Sequence, residues 1–189
     1  MYILMTLNDI KDFIEVVEEA DKLDGDFAEL GVYLGGTAML MCEARKNGKA
    51  VHLFESEEGL QKLDIIDTAN FTRGELRTNK DFVNAFLINQ KNVFFHWGWF
   101  PETSSPVEDK KFAFVHIDAN LYQSTKDALE FFYPRMVDNG YILLHDYSQI
   151  VGVKVAVNEF CIRNNIESTK LRNLYALIRK KDNGVKLIF

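Results

Sequence analysis

The chain has 189 residues, about the length of one domain, and 47% of them are hydrophobic, which excludes an intrinsically disordered protein. Its 22 Lys and Arg against 28 Asp and Glu give a net charge of −6, which repels phosphate backbones and anionic lipid, so we expect neither a nucleic acid nor a membrane partner. Two cysteines are too few for a disulfide framework, and no segment approaches the roughly 20 apolar residues of a membrane span, so the sequence predicts a soluble protein of the cytoplasm.

The sequence predicts a regular alternation of strands and helices. Apolar residues recur at helical spacing in several segments, and short apolar runs bounded by glycine or polar residues lie between them. No linker or repeat divides the chain, so we expect one domain over residues 1–189, with an N-terminal helix within residues 1–24 before the first strand. In chain order the predicted elements are a helix at 7–23, a strand at 27–32, a helix at 37–46, a strand at 50–55, a helix at 81–89, strands at 92–97 and 112–118, a helix at 124–136, a strand at 140–146 and a helix at 151–163.

The C-terminal part of the chain has a different pattern. Strand-like segments at residues 168–171, 174–179 and 184–189 follow one another with only turn residues between them, and they predict an antiparallel edge. The preceding alternation predicts a mostly parallel sheet with helices on both faces, an α/β fold of the Rossmann-like class. Residues 59–80 have no clear pattern and are left unassigned.

Polar and glycine residues are concentrated just after the predicted strands. In a sheet of this kind, ligands bind outside the carboxyl ends of the strands. A pattern unrelated to function would distribute such residues over both ends of the sheet. We therefore expect the functional residues in five short segments, at residues 31–37, 55–58, 97–103, 118–122 and 145–148.

The segment that runs from Glu29 to Thr37 contains a glycine turn beside a predicted helix N-terminus. A dinucleotide fingerprint would need glycine where Tyr33 stands, and a phosphate-binding P-loop would need a lysine that is missing, so an NAD-dependent oxidoreductase is disfavoured. Glu29 and Glu55 instead suit a ligand with a ribose and a cationic part, such as S-adenosylmethionine. Tight packing of strand against helix is the alternative role of the glycines, and a solvated strand end is that of Glu55.

Three aromatic residues, Trp97, Trp99 and Phe100, lie at the end of the third predicted strand. An adenine ring could stack on one of them beside the crevice. The alternative, which the sequence leaves open, is that each of them packs in the core beneath a loop.

Five motifs occur in an order that resembles one protein family. They are Glu-Leu-Gly-Val-x-x-Gly-Gly-Thr from Glu29, Glu-Ser-x-Glu-Gly-Leu from Glu55, Gly-Trp-Phe-Pro-Glu-Thr from Gly98, His-Ile-Asp-Ala-Asn-Leu-Tyr from His116 and His-Asp-Tyr from His145. Together they resemble the macrocin O-methyltransferase family, whose members use S-adenosylmethionine to methylate sugar hydroxyls of natural products. The resemblance covers residues 25–180 and implies a class I methyltransferase sheet of seven strands with an antiparallel last strand.

The resemblance also implies roles for individual residues. Glu29, Gly31 and Thr37 would line the methionine end of the cofactor, and Glu55 would bind its ribose. With the other residues of these motifs, the predicted cofactor-binding set is Glu29, Gly31, Tyr33, Gly35, Thr37, Glu55, Ser56, Gly98, Trp99 and Asp118.

The same resemblance implies a divalent cation, usually magnesium, on Asp118 and Asp146 beside the acceptor hydroxyl. Two departures occur here, because Asn120 and His145 stand where the family has carboxylates. Magnesium prefers oxygen ligands, whereas histidine favours softer metals. We predict that Asp118, His145 and Asp146 form the catalytic and metal-binding cluster. Without a metal, His145 would be the general base near neutral pH.

The sequence therefore predicts a metal-assisted O-methyltransferase that acts on a hydroxyl of a small molecule, either a sugar or a glycosylated metabolite. The alternative is a cofactor-binding homologue whose metal site has decayed and which transfers no methyl group. Retention of both Asp118 and Asp146 favours the enzyme. His52, His96 and His116 lie within predicted strands and are expected to be structural. A homodimer is compatible with the sequence but is not decided by it.

Overall fold

The computed structural model describes residues 5–60, 63–67, 71–166, 168–170 and 175–181. These residues form helices and strands that alternate along most of the chain, as the sequence predicts. Short 3-10 helices occur at Ser105–Val107 and Tyr133–Arg135. The other elements are α1 (Leu7–Ala20), β1 (Asp26–Leu30), α2 (Gly36–Ala44), β2 (Val51–Glu55), α3 (Lys80–Phe86), β3 (Val93–Trp97), β4 (Phe112–Ile117), α4 (Tyr122–Phe132), β5 (Met136–Leu144), α5 (Val151–Asn164), β6 (Ser168–Lys170) and β7 (Ala176–Arg179).

The seven strands of the described residues form one sheet in the order β3-β2-β1-β4-β5-β7-β6. Strands β1 to β5 are parallel, whereas β7 is antiparallel to both β5 and β6. The predicted α/β class and mostly parallel sheet with an antiparallel edge are therefore confirmed. The strand order reverses between β1 and β4, and a switch point of this kind opens the crevice in which α/β folds bind ligands.

Two apolar layers cover the two faces of the sheet, because successive residues of a strand point to opposite sides. Phe27 of β1 belongs to the layer beneath α1 and α2, in which Phe13 and Met41 are fully buried. Its neighbour Ala28 belongs to the opposite layer, which contains Phe132 of α4 and residues of α5. Burial of each large apolar side chain contributes about 1.5–3 kcal/mol. These layers hold the strand ends that carry the site.

Some predicted boundaries were wrong, and the clearest case lies around Pro134. The helix predicted at residues 124–136 ends at Phe132, because proline lacks the N–H that would continue it, and a 3-10 helix follows. Strand β5 then begins at Met136 rather than at residue 140, with an irregular register opposite β4. The strand predicted at 184–189 lies outside the described residues.

Backbone hydrogen bonds join two described parts of the segment between β2 and α3, for which the sequence has no clear pattern. Leu60 N donates to Glu75 O at 2.8 Å, and Gly74 N donates to Leu60 O at 2.6 Å. These bonds hold Leu60, which follows β2 by five residues, against Gly74 and Glu75. Among the described helices, none is long and apolar enough to cross a membrane.

Candidate active site

The strand ends converge on one cavity of about 560 Å³ at the carboxyl edge of the sheet. Its volume lies in the range of small-molecule sites, and it opens at the switch point between β1 and β4. Its lining residues are Met5, Thr6, Leu30, Gly31, Tyr33, Phe54, Glu55, Ser56, Gly59, Leu60, Leu76, Gly98, Trp99, Phe100, Asp118, Ala119, Asn120, Leu121, Ser124, His145, Asp146 and Gln149.

The charges in this lining are mainly negative. Glu55, Asp118 and Asp146 contribute carboxylates, none of the described lining residues is a lysine or an arginine, and His145 is the one basic side chain among them. A cavity with this charge attracts a cationic ligand or a metal ion and disfavours a ligand with several phosphates.

The loop after β1 passes very close to the end of β4. Gly31 has a φ of +89°, and a Cβ at this position would collide with the carbonyl group of Asp118. Only glycine allows this approach, which Asp118 N secures by donating to Leu30 O at 2.8 Å. Gly31 therefore allows the loop after β1 to lie directly against the end of β4.

Glu55, the last residue of β2, has a carboxylate held by the backbone. Its Oε2 accepts from Tyr33 N at 2.6 Å, and its Oε1 accepts from Ser56 N at 2.7 Å. Burial raises the pKa of Glu55 to about 7, because the backbone N–H groups that favour the charged form only partly offset the loss of water. A ligand that donates hydroxyl groups to this carboxylate would favour its charged form.

Not every predicted cofactor residue reaches the cavity. Glu29 is fully buried on the face of β1 that packs against α1 and α2, where it accepts from Thr37 Oγ1 and lies 2.8 Å from His116 Nδ1. Gly35, with a φ of +81°, precedes α2 and lies against Phe86 of α3. Glu29, Gly35 and Thr37 are thus absent from the described lining. Glu29 instead connects β1 with α2 through Thr37 and with β4 through His116.

Of the aromatic residues at the end of β3 and just after it, some line the cavity and one packs outside it. Gly98, Trp99 and Phe100 line the cavity. The ring of Trp97 instead stacks on Phe95, with centroids 5.5 Å apart. Trp99 is therefore the tryptophan in position to contact a bound ligand.

Asp118, His145 and Asp146 come together at the adjacent ends of β4 and β5. His145 Nδ1 lies 3.3 Å from Asp118 Oδ1 and 3.3 Å from Asp146 Oδ2. One ligand atom from each residue lies within 4.8 Å of the other two. Neither ring nitrogen of His145 forms a hydrogen bond with a described residue. The predicted cluster is thus a compact group of two carboxylates and one imidazole.

The charges of Asp118 and Asp146 determine whether the ring of His145 is protonated. Burial alone would lower the pKa of His145, but Asp118 and Asp146 outweigh it and raise this pKa to about 10. Burial likewise opposes ionisation of Asp118, but His145 holds the pKa of that carboxyl below its usual value. In the cluster without a metal the two carboxylates therefore favour the protonated ring, and the role of His145 as a general base stays a prediction.

The cluster fits a divalent cation. Carboxylate oxygens and an imidazole nitrogen are ordinary metal ligands. Two partly buried carboxylates so close together repel unless a cation or a proton lies between them. In the cluster without a metal the proton on His145 has this role, and a bound cation would take its place.

Asn120 supports this cluster in a way that the sequence did not indicate. Its φ of +59° turns the side chain so that Nδ2 donates to Asp146 Oδ2 at 3.0 Å. Asn120 occupies a position at which the family pattern has a carboxylate. Here the amide orients Asp146 and adds no third negative charge.

Asp67 is a further residue that sequence reasoning missed. It is fully buried, and its Oδ1 accepts from Tyr122 N, the first residue of α4, at 3.0 Å. A Cβ on Gly152, at the start of α5, would collide with the same oxygen. Asp67 therefore lies against the first turns of α4 and α5, the helices that follow Asp118 and Asp146 in the chain. Its segment has no periodic pattern, so no sequence signal could have identified it.

One family model matches residues 4–174, that of macrocin-O-methyltransferase (TylF). The 8-demethyl-8-(2,3-dimethoxy-alpha-L-rhamnosyl)-tetracenomycin-C 4'-O-methyltransferase of Streptomyces olivaceus is 28% identical over 172 residues, which are 83% of this chain and 65% of that protein. The demethyldecarbamoylnovobiocin O-methyltransferase of Streptomyces niveus is 26% identical over 170 residues, 82% of this chain and 64% of that protein. The chain thus spans slightly less than two thirds of the length of these relatives.

Solved methyltransferases have the same fold. The O-methyltransferase NovP is similar with a TM-score of 0.82 and 22% identity, over 95% of this chain and 82% of NovP. The calicheamicin methyltransferase CalS11 is similar with a TM-score of 0.79 and 16% identity, over 93% of this chain and 80% of CalS11. At these identities the similarity establishes the class I methyltransferase fold.

Proposed function

Because this chain belongs to the macrocin-O-methyltransferase family, we propose that it transfers a methyl group from S-adenosylmethionine to a hydroxyl of a small molecule, a sugar or a glycosylated metabolite. The observation that carries the proposal is the acidic cavity at the switch point, with three carboxylates and no lysine or arginine among its described lining residues. Such a lining suits a sulfonium cation and disfavours the pyrophosphate of a dinucleotide.

The half of the cavity next to β1 and β2 fits the cofactor. The carboxylate of Glu55 keeps lone pairs for two ribose hydroxyls, because the two backbone N–H groups occupy only part of its capacity. Tyr33, Ser56 and Gly98 would border the nucleoside, and Trp99 would stack on the adenine. When bound, S-adenosylmethionine supplies a methyl group on its sulfonium sulfur. The bond from sulfur to methyl would break as the bond from the acceptor oxygen to methyl forms, which leaves S-adenosylhomocysteine and releases the hydroxyl proton.

The half next to β4 and β5 fits the acceptor and a metal. Asp118, His145 and Asp146 would hold a divalent cation, magnesium by resemblance to the family, that lowers the pKa of the acceptor hydroxyl. Asn120 keeps Asp146 oriented through its hydrogen bond. Leu60 and Phe100 add apolar surface to the lining of the cavity.

The names of two similar proteins support a sugar as acceptor. The relative from Streptomyces olivaceus is named for 4'-O-methylation of a rhamnosyl tetracenomycin. CalS11 is described as a TDP-rhamnose 3'-O-methyltransferase. Within this proposal the reaction takes place in the cytoplasm, which suits two buried cysteines. A homodimer is compatible with this proposal.

Titration calorimetry tests the cofactor first. We expect S-adenosylmethionine and S-adenosylhomocysteine to bind the purified chain and NAD not to bind. The Glu55→Ala variant should lose about 1–3 kcal/mol of that binding energy, as expected for hydroxyls left without a charged acceptor. Binding of NAD without S-adenosylhomocysteine would refute the proposal.

Methyl transfer is then measured with labelled S-adenosylmethionine and a panel of rhamnosides and nucleotide rhamnoses. Label in an acceptor, dependent on Asp146, supports the enzyme. Normal binding of S-adenosylhomocysteine without transfer to any member of the panel would favour the non-catalytic homologue.

A further inference from the structure

We propose that the cation site of this chain prefers a transition-metal dication, such as manganese, cobalt or zinc, over magnesium, because His145 presents a nitrogen between the two carboxylates that would hold the ion. This inference rests on the proposed function, since it concerns the metal of the same site. A site built from carboxylates alone would show this preference less strongly.

The distances in the cluster are compatible with three ligands of a single ion. His145 Nδ1 lies 3.3 Å from an oxygen of Asp118 and 3.3 Å from an oxygen of Asp146. Neighbouring ligands of a single ion are about 3 Å apart when the bonds to the metal are about 2.0–2.3 Å long. The ring therefore already occupies the position of a third ligand beside the two oxygens.

The burial of His145 points the same way. Its side chain is only 7% exposed, and its Nδ1 lies against one oxygen of Asp118 and one of Asp146. Two carboxylates at one nitrogen can be balanced either by a proton on the ring or by a cation bound to all three groups. A cation at this point would therefore take the place of the ring proton.

Among the described residues, the group that could hold one ion consists of Asp118, His145 and Asp146. Beyond Asp118 and Asp146, the only carboxylate among the described lining residues is Glu55, which lies at the end of β2 and is assigned to the cofactor. Asn120 holds Asp146 Oδ2 through its amide nitrogen. Within this group of three, two side chains present oxygens and His145 presents a nitrogen.

This donor set discriminates between metals. Magnesium takes oxygen ligands in near-ideal octahedral geometry and gains little from an imidazole. Manganese, cobalt and zinc accept both carboxylate and imidazole, with affinities that rise along this series. Because every site follows that general order to some degree, the specific contribution of His145 is measured as a ratio against a variant that lacks the nitrogen.

The first experiment measures binding of each metal alone to the full chain after treatment with a chelator. Calorimetric titrations with magnesium, manganese and cobalt chlorides give the ratio of the magnesium to the cobalt dissociation constant. The matched variant is His145→Asp, which replaces the nitrogen by an oxygen donor. We expect the ratio to fall by at least about tenfold in this variant, the usual size of a change in the surroundings of a metal. The control is His96→Asn, which removes a histidine outside the cavity and should leave the ratio unchanged.

The second experiment identifies the ligand atom without relying on a variant that might fold poorly. Electron spin-echo spectroscopy of the manganese-loaded chain should show nitrogen modulation in the natural chain and in His96→Asn. The modulation should disappear in His145→Asp. A ratio that is equal in the natural chain and His145→Asp, a manganese signal without nitrogen modulation, or no metal binding to the folded chain would overturn the inference.

Failure of the proposed function is recognised separately. Binding of S-adenosylhomocysteine is measured on the same preparations in the absence of metal. Its loss would refute the methyltransferase proposal, whereas the metal ratio and the nitrogen modulation would still report on the cation site.

Discussion

Two buried histidines of this protein lie beside carboxylates, one inside the core and the other at the cavity. His116, within β4, is fully buried and lies 2.8 Å from Glu29 Oε1. His145, directly after β5, lies 3.3 Å from both Asp118 and Asp146 and forms a hydrogen bond with neither. The first group belongs to the core, and the second faces the cavity.

The two rings are only 6.3 Å apart, so position relative to the strand ends accounts for the difference. His116 pairs with Glu29 in the register of β4 and β1, and its ring packs edge-on against Phe13 of α1. His145 lies past the last residue of β5, where its nitrogens face the crevice. A histidine and a carboxylate inside the sheet therefore stabilise the fold, whereas the same pair beyond the strand ends is available to a ligand.

The Glu29→Ala variant should have the largest effect on stability, because it leaves His116 Nδ1 and the Thr37 hydroxyl without their buried partner. We expect the free energy of unfolding to fall by about 3 kcal/mol or more. Urea denaturation measures this change. Unaltered stability with weakened binding of S-adenosylhomocysteine would instead make Glu29 a cofactor residue, as the sequence predicted.

Asp67 extends the comparison to a third buried carboxylate, which accepts backbone N–H groups at Tyr122 and Asp64. The Asp67→Ala variant should lower the free energy of unfolding by about 2 kcal/mol, the upper range for loss of a helix cap. Asp67→Asn keeps an oxygen acceptor and should retain most of the stability. If both variants unfold at the same urea concentration as the natural chain, Asp67 does not cap α4.

The Asp146→Asn variant tests the cavity side of the comparison. Because one ligand charge is lost, we expect the affinity for manganese to fall by about 10- to 100-fold. Binding of S-adenosylhomocysteine without metal should change little, since the cofactor half of the cavity keeps Glu55. Calorimetry measures both. An unchanged affinity for manganese would remove Asp146 from the metal site.

The pH dependence of cofactor binding tests Glu55, whose pKa burial raises to about 7. Ribose hydroxyls donate to the charged carboxylate, so binding should release a proton and strengthen as pH rises through this value. We expect the affinity for S-adenosylhomocysteine to increase by about tenfold from pH 6 to pH 8. Glu55→Gln, which cannot ionise, should show weaker binding without this dependence. If the affinity rises with pH equally in the natural chain and in Glu55→Gln, the titrating group is not Glu55.

Tryptophan fluorescence gives the smallest signal and compares another pair of like residues. Trp99 lines the cavity, whereas Trp97 stacks on Phe95 outside it. Binding of S-adenosylhomocysteine should change the emission of the natural chain and of Trp97→Phe. The change should be lost in Trp99→Phe. The reverse pattern would place the adenine next to Trp97.

The sequence by itself determined the alternation of strands and helices and the residues at the strand ends. Hydrophobic spacing and turn residues act over a few positions, so these features can be identified locally. For that reason Glu55, Asp118, His145 and Asp146 were predicted at the carboxyl ends of strands, where the structure has them. The helical spacing continues to Met136, whereas α4 ends at Phe132 because Pro134 lacks the N–H that would continue the helix.

Only the tertiary structure decided which of these side chains face the cavity. Glu29 precedes Gly31 by two residues, yet it points into the core because the pairing of β1 with β4 sets its direction. Asp67 reaches Tyr122 across 55 positions, and Asn120 reaches Asp146 across 26. Such contacts depend on the register of segments that are distant in the chain, and no local pattern of residues encodes that register.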